Sequence, residues 1–204
     1  MSVTLHKSDL PRDLDLGEVV AVDSETMGLN LARDRLCVVQ LSGGDGRAHL
    51  VRFPAGGGYD APNLKALLAD PGRLKLFHYA RFDLAVLRRY LGVTCAPIYC
   101  TKVASKLVRT YTDRHGLKDL CREVLGLELD KTEQSSDWGA SALSEAQLRY
   151  AARDVLHLHA LRERLEEMLA REGRRELASA CFGFLPVRAE LDLAGWEGQD
   201  VFAH

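Results

Sequence analysis

The stretch that decides the fold runs from Val19 to Leu29 and reads VVAVDSETMGL. Its leading apolar residues are mostly β-branched, which predicts a buried strand delivering Asp23 and Glu25 at its end. Side chains at positions i and i+2 of a strand point to the same side, so the two carboxylates face each other at short range. Like charges this close require a compensating cation. The alternative is a strand end with two solvated acids, and this stretch alone leaves both interpretations open.

Composition limits the size and class of the protein. The chain has 204 residues, 47% of them hydrophobic, which predicts a single domain over residues 1–204. Lys and Arg total 27 against 29 Asp and Glu, a formal net charge of -2. So nearly neutral a chain creates no field that attracts long polyanions. Any nucleic acid that it handles is therefore bound locally or is short.

The cysteine pattern and the apolar runs indicate the cellular compartment. The five cysteines show no CxxC spacing, which argues against a zinc site or a disulfide framework. Residues 1–12 lack the apolar core of a signal peptide, and no apolar run reaches membrane-spanning length. We therefore expect a reduced, cytoplasmic, soluble protein without a membrane partner.

Apolar periodicity along the chain predicts an α/β layered domain. Further strands are expected at 35–41, 48–53, 74–77 and 98–100. Helices are expected at 62–69, 82–91, 101–108 and 117–125, followed by one long helix from Ser144 to about Arg171 that a capping box opens. Residues 180–204 mix apolar side chains with Gly and Pro, and we expect an irregular segment that packs on the core or on a neighbouring subunit.

Two further carboxylates accompany the opening pair. Asp83 opens a predicted helix, where the alternative role is helix capping. Asp154 lies in the middle of an otherwise apolar helical run, where a buried acid is costly without a partner. Tyr150 is four residues earlier and therefore on the same helical face. Together, Asp23, Glu25, Asp83 and Asp154 offer the hard oxygen ligands that two Mg²⁺ or Mn²⁺ ions prefer.

Such a pair of ions, about 3.5 to 4 Å apart, activates a water on one side and stabilises the leaving oxygen on the other. This is the requirement of in-line phosphodiester cleavage. Tyr150 would orient the attacking water by hydrogen bonding. The residues therefore predict a two-metal phosphodiesterase.

Three motifs in order resemble those of the DEDD exonuclease superfamily: Asp23-x-Glu25, His78-x-x-x-Phe82-Asp83, and Tyr150-x-x-x-Asp154. The resemblance implies an RNase H-like 3′-5′ exonuclease fold, with a central mixed five-stranded sheet flanked by helices. It also implies 3′-to-5′ hydrolysis that yields nucleoside 5′-monophosphates, with Asp23, Glu25, Asp83, Tyr150 and Asp154 as the catalytic set. Arg149 stands where the histidine subtype carries its histidine, so Tyr150 makes this the tyrosine subtype, as in ribonuclease D.

Within that superfamily the chain resembles the compact nanoRNase C branch nearly end to end. That likeness is carried notably by residues 101–118 and by residues 191–204, whereas Leu129-Asp130-Lys131 with Ser136-Asp137-Trp138 resembles ribonuclease D. The likeness to nanoRNase C implies a dinucleotide-preferring ribonuclease assembled as a homo-octamer, with two divalent cations and no protein cofactor.

Substrate length is attributed to two groups of residues. Leu29 resembles the leucine wedge that separates the two bases in related dinucleotidases, the alternative being a core role. His78 is expected to contact phosphate or ribose, or else to be a buried structural histidine. The segment 102–118 is the densest basic patch, and we expect it to cap a 5′ phosphate unless it is a solvated helix face. The candidate substrate-binding residues are Thr26, Leu29, His78, Lys102, Ser105, Lys106, Arg109, Tyr111, Arg114 and His115.

The sequence thus predicts a metal-dependent 3′-5′ exoribonuclease that acts on very short RNA and prefers 5′-phosphorylated dinucleotides. One alternative is a ribonuclease D-like enzyme that trims longer RNA 3′ ends. A second is a non-catalytic binding domain with an exonuclease fold.

Overall fold

A mixed six-stranded sheet forms the centre of the molecule in a computed structural model that describes residues 2–129 and 136–203. The strands are β1 Ser2–Lys7, β2 Val19–Thr26, β3 Leu36–Ser42, β4 Arg47–Arg52, β5 Leu74–Phe77 and β6 Ile98–Cys100. Their order is β1-β4-β3-β2-β5-β6. Strand β3 pairs antiparallel with both β2 and β4. The other three pairs are parallel: β1 with β4, β2 with β5, and β5 with β6.

Helices flank this sheet. They are α1 Pro62–Ala69, α2 Ala80–Leu91, α3 Thr101–Val108, α4 Leu117–Leu120, α5 Glu145–Leu156, α6 Leu158–Arg171 and α7 Arg175–Leu191. Two π-helical turns, Cys121–Leu125 and Asp192–Trp196, extend α4 and α7. The α/β class is therefore confirmed.

The five strands expected from the resemblance are joined by a sixth, β1, at the sheet edge. Its residues are all exposed or half-buried, so the strand carries little of the apolar signal that marks β3, where every residue is buried. The carboxylates Asp23 and Glu25 lie near the end of β2, as expected, since β2 runs to Thr26.

One predicted helix had the wrong extent, and one segment expected to be irregular is helical. The expected long helix is divided at His157, whose φ of -104° and ψ of -4° end α5 before α6 begins. The capping box of Ser144 and Gln147 is confirmed. Residues 180–196 are helical rather than irregular, since α7 and the following π-helical turn cover them and bury Phe182 and Leu185. No helix in the described part of the chain is long and apolar enough to cross a membrane.

The position of β2 inside the sheet determines where the functional side chains lie. Because β2, β5 and β6 run parallel, their carboxyl ends meet at one edge of the sheet. The register pairs Ala21 with Leu76, which places Asp23 level with His78 just beyond β5. The helices α2 and α3 begin at this same edge, directly after β5 and β6.

Candidate active site

Three carboxylates converge at this edge of the sheet. Oxygen atoms of Asp23, Glu25 and Asp154 all lie within 4.8 Å of one another. The first two come from β2 and the third from α5, the helix that packs across β2, β3 and β4. Asp83, in the first turn of α2, lines the same pocket and is only 3% exposed.

Neighbouring polar side chains hold two of the carboxylates in place. The Ser24 hydroxyl donates to Asp83 Oδ1 at 2.6 Å, and Gln40 Nε2 donates to Asp23 Oδ2 at 3.2 Å. Among the residues that the structure describes, no Lys or Arg forms a salt bridge with Asp23, Glu25 or Asp83. Asp23 and Asp83 are thus oriented by neutral donors, and no described Lys or Arg balances the charge of the three acids through a salt bridge.

Burial and mutual repulsion disfavour ionisation here. Burial, followed by the charges of the neighbouring acids, raises the pKa of Asp23 and of Glu25 well above the usual range. Burial also raises the pKa of Asp83 to about 7, although the Ser24 hydroxyl bond acts in the opposite direction. A bound divalent cation reverses this preference, because it is a large local positive charge. The donor set of close, buried carboxylate oxygens fits Mg²⁺ or Mn²⁺.

Tyr150 adds a protonated hydroxyl beside the carboxylates. It lies four residues before Asp154 on α5 and lines the pocket. Burial, and then the charge of Asp154, raises the pKa of Tyr150 above its ordinary value, so the hydroxyl keeps its proton at neutral pH. Its ring centroid lies 6.1 Å from that of buried Trp138, which supports the ring from the side. A phenol held in this way can hydrogen-bond a water at the carboxylates.

The pocket around these groups has a volume of about 670 Å³. Its floor is the carboxylate cluster, and one wall is the loop after β2, with Leu29 83% exposed and Met27 beside it. A side chain at Gly28 is impossible without rearrangement, since a Cβ there would lie 2.3 Å from the Asp34 carboxylate. The loop therefore presents its apolar side chains from a tightly packed backbone. Leu29 does not close the core.

The expected substrate-binding residues divide into three groups. Thr26, Leu29, His78 and Lys102 line the pocket. Lys106, Tyr111 and Arg114 are exposed but do not line it. Ser105, Arg109 and His115 are buried together away from it: Arg109 donates to Ser105 Oγ at 3.0 Å, and Ser105 Oγ lies 2.9 Å from His115 Nδ1.

Arg109 differs most from expectation. It is completely buried, forms an ion pair with Glu123, and donates to the backbone carbonyl of Arg114. Its guanidinium therefore holds the loop before α4 in place and is not presented to a phosphate in the pocket. The charge run alone did not reveal this partner, because Glu123 lies 14 residues further along the chain.

Further residues line the pocket. Lys118, at the end of the basic segment 102–118, joins Lys102 there, and Tyr79, which was not a sequence candidate, lies on the same wall with a left-handed φ of 70°. The Lys102 ammonium sits 4.0 Å from the centre of the Tyr79 ring. The signal for Tyr79 was its place directly after His78, at the strand-to-helix turn. Asp130 and Lys131, which carried part of the resemblance, lie outside the described residues.

Comparison with known proteins agrees with this geometry. The family model described as 3′-5′ exonuclease matches residues 6–170. The structure of Brucella melitensis NrnC with bound Mg²⁺ is 54% identical, with a TM-score of 0.95 and 100% of both chains covered. The structure of Brucella melitensis NrnC bound to pGG is 55% identical, with a TM-score of 0.96, and the match covers 100% of this chain and 99% of that one.

Ribonuclease D supplies more distant relatives. The enzyme from Gluconacetobacter diazotrophicus is 39% identical over 155 residues, which are 76% of this chain and 39% of that protein. The chain thus spans about two-fifths of the length of the ribonuclease D relatives it matches. The matched family model, the pocket geometry and the end-to-end likeness agree, and the chain belongs to the NrnC group of ribonuclease D-like 3′-5′ exonucleases in the DEDD superfamily.

Proposed function

We propose that this protein is a metal-dependent 3′-5′ exoribonuclease that hydrolyses very short RNA, preferentially 5′-phosphorylated dinucleotides, to nucleoside 5′-monophosphates. The observation that carries the proposal is the cluster of Asp23, Glu25 and Asp154 within 4.8 Å, joined in one pocket by Asp83 and Tyr150. Family membership agrees with the reaction, and the relative bound to pGG agrees with the substrate.

The chain's own residues have distinct parts in this reaction. Two divalent cations held by Asp23, Glu25, Asp83 and Asp154 would supply an activated water and stabilise the leaving oxygen. The Tyr150 hydroxyl orients the attacking water, because it keeps its proton and lies beside Asp154. Ser24 and Gln40 fix the carboxylates through the bonds at 2.6 and 3.2 Å.

The walls of the pocket support a short substrate. A volume of about 670 Å³ lies within the range of roughly 300–1,000 Å³ typical of small-ligand pockets. Leu29 and Met27 expose apolar surface on one side, on which nucleobases can pack. Lys102 and Lys118 place two cations on the pocket wall, where a terminal phosphate is the matching charge. We assign the 5′-phosphate contact to these two residues in place of Arg109.

The discriminating experiment follows the products from 5′-labelled RNAs of two to seven nucleotides over time. Rapid loss of dinucleotides with slow loss of longer strands supports the proposal. Faster trimming of the longer strands would favour the ribonuclease D-like alternative. The 39% identity to ribonuclease D supports that alternative. If RNA of none of these lengths is hydrolysed in the presence of metal, the remaining interpretation is a non-catalytic binding domain.

We also propose that the chain assembles with copies of itself, as a homo-octamer, in the cytoplasm. The support is apolar surface on α7 and after it, where six large side chains are exposed: Leu177, Phe184, Val187, Trp196, Val201 and Phe202. Light scattering tests the assembly: a mass eight times that of the chain supports it, and the mass of a single chain contradicts it.

A further inference from the structure

We infer that Arg81 is a positioning residue for the metal site, because its ion pair with Asp192 lets the C-terminal segment hold the helical turn that carries Asp83. The C-terminal segment here means residues 192–199, which follow α7. The inference rests on the proposed function and adds one residue to it. Arg81 lies in the first turn of α2, two residues before Asp83, and is not among the described residues that line the pocket.

The first turn of α2 needs support from outside the helix. It follows Tyr79, whose φ of 70° is a left-handed conformation that costs energy in a residue with a side chain. Tyr79 occupies the N-cap position, and within the described part of the chain its side chain makes no capping hydrogen bond. Such a conformation persists only where surrounding contacts maintain it. Because Tyr79 and Asp83 both line the pocket, this turn determines part of the geometry of the site.

Two side-chain contacts hold this turn, and they act on different faces of the helix. Towards the pocket, the Ser24 hydroxyl donates to Asp83 Oδ1 at 2.6 Å. Arg81 is two residues away from Asp83 on the helix and therefore points to the other side. Its Nε and Nη2 donate to the two carboxylate oxygens of Asp192 at 2.5 and 2.8 Å, and Nη2 also donates to the Glu197 carbonyl at 2.6 Å. A bidentate pair between planar groups fixes orientation as well as distance.

The C-terminal segment is itself firmly held, so it can serve as an anchor. Arg188 of α7 pairs with Asp192 at 2.8 Å and donates to the backbone carbonyls of three residues: Trp196 at 2.7 Å, Gln199 at 2.9 Å and Glu197 at 3.1 Å. Asp192 is buried, which limits competition from water for its carboxylate. The helix α7 in turn packs against α2. The bonds of the α2 turn to this segment therefore restrain its position.

Arg81→Met tests the inference, with Glu190→Gln as the matched control. Methionine keeps an unbranched apolar side chain but removes all three bonds to the C-terminal segment. Glu190→Gln breaks the exposed Arg88–Glu190 pair, which also joins α2 to α7 but lies in the last turn of α2. Loss of the contacts that orient metal ligands typically weakens metal binding by about 10- to 100-fold. Calorimetry on the metal-free protein should show about 10-fold weaker Mg²⁺ binding in Arg81→Met and wild-type affinity in Glu190→Gln.

Arg81→Lys is the conservative variant. It keeps the charge but not the forked geometry, so its Mg²⁺ affinity should fall between those of wild type and Arg81→Met. It also carries the comparison if Arg81→Met does not fold. At limiting Mg²⁺, both variants should hydrolyse a 5′-phosphorylated diribonucleotide with a lower kcat and a nearly unchanged KM. Saturating Mg²⁺ should restore most of the rate, because the ligands themselves remain.

A stabilising role alone gives a different result. Wild-type Mg²⁺ affinity in folded Arg81→Met or Arg81→Lys would overturn the inference, and so would an equal loss of affinity in Glu190→Gln. Absence of hydrolysis of every short RNA by the wild-type protein would instead sink the proposed function. The Mg²⁺ affinities of the variants would still test the part of Arg81, because they do not depend on turnover.

Discussion

Two regions of this molecule bury carboxylates in opposite ways. At the end of β2, Asp23 accepts a hydrogen bond from the neutral Gln40 amide and lies close to Glu25, and neither acid forms a salt bridge with a described Lys or Arg. Beside α2, Asp192 is 8% exposed and lies between two guanidinium groups, 2.5 Å from Arg81 and 2.8 Å from Arg188. A buried acid with a fixed partner cation has a structural role. Buried acids that lie together without such a partner form a site that favours binding of a cation.

The largest effect should come from Asp23→Asn. The amide keeps the shape and can still accept from Gln40, but it removes one anionic ligand. We expect the rate on short RNA to fall by at least about 100-fold, because ligand loss removes several kcal/mol of transition-state stabilisation. In the metal-free protein the same change should leave the unfolding free energy unchanged or raise it, since it relieves repulsion. Rate measurements check the loss of activity, and denaturant melts check the unfolding free energy. A clear decrease in the unfolding free energy of Asp23→Asn would contradict the difference drawn between the two regions.

Tyr150→Phe comes next. Removing the hydroxyl should lower the rate roughly 100-fold, the usual contribution of a group that positions a proton or a water, while the ring still packs near Trp138. Calorimetric Mg²⁺ binding should be nearly unchanged, because the four carboxylates remain. A variant that loses metal affinity together with activity would show that the hydroxyl belongs to the metal site itself.

Asp192→Asn tests the region in which a buried acid has partner cations. Breaking its two ion pairs should lower the unfolding free energy by about 2 kcal/mol, less than for a fully buried pair because Arg81 is 34% exposed. The matched control is Glu190→Gln, which breaks the nearby exposed Arg88–Glu190 pair between α2 and α7 and should cost less than about 1 kcal/mol. Urea melts of both variants measure the two losses of unfolding free energy. Equal losses would mean that burial of the ion pair does not determine its contribution to stability.

A smaller effect concerns pH in the metal-free protein. The pKa of Asp83 is about 7 in the folded chain and 3.8 when unperturbed, so between these values the folded state holds a proton that the unfolded state has released. Stability contributed by this group is therefore present below about pH 4 and is lost as pH rises towards 7. The difference in melting temperature between wild type and Asp83→Asn, measured in EDTA, should thus move against wild type between pH 5 and 7.5, and the comparison cancels buried His78, whose lowered pKa acts in the opposite direction. Saturating Mg²⁺ should reverse the trend, and a difference that moves in favour of wild type in EDTA over this range would contradict it.

The sequence predicted those parts that local patterns encode. Periodicity over fewer than a dozen residues was enough to predict three features. These are the strand that leads to Asp23, the helix that carries Asp83, and the helical face shared by Tyr150 and Asp154. Their convergence in one pocket came from the motif resemblance, because spacing along the chain does not give distance in space.

Long-range pairing explains what the sequence did not predict. Ser24 holds Asp83 across 59 positions, and Asp192 meets Arg81 across 111. Arg109 looked available in a basic run until its buried contact with Glu123 was seen. The sixth strand went unrecognised because an exposed edge strand needs little apolar sequence. Such features depend on tertiary contacts rather than on local propensity.

The place of β2 inside the sheet separates slow from fast hydrogen exchange within one pocket. Asp23 and Glu25 belong to a strand bonded to β3 along the part that carries them, and their backbone positions should be among the last to exchange with solvent. The pocket wall begins just one residue beyond Thr26, in a loop packed at Gly28 against Asp34 but exposed at Leu29. Amide protons at the loop's tip should therefore exchange faster than those of the strand, so that under the proposed function the loop can adjust to a bound substrate while the carboxylates keep their geometry.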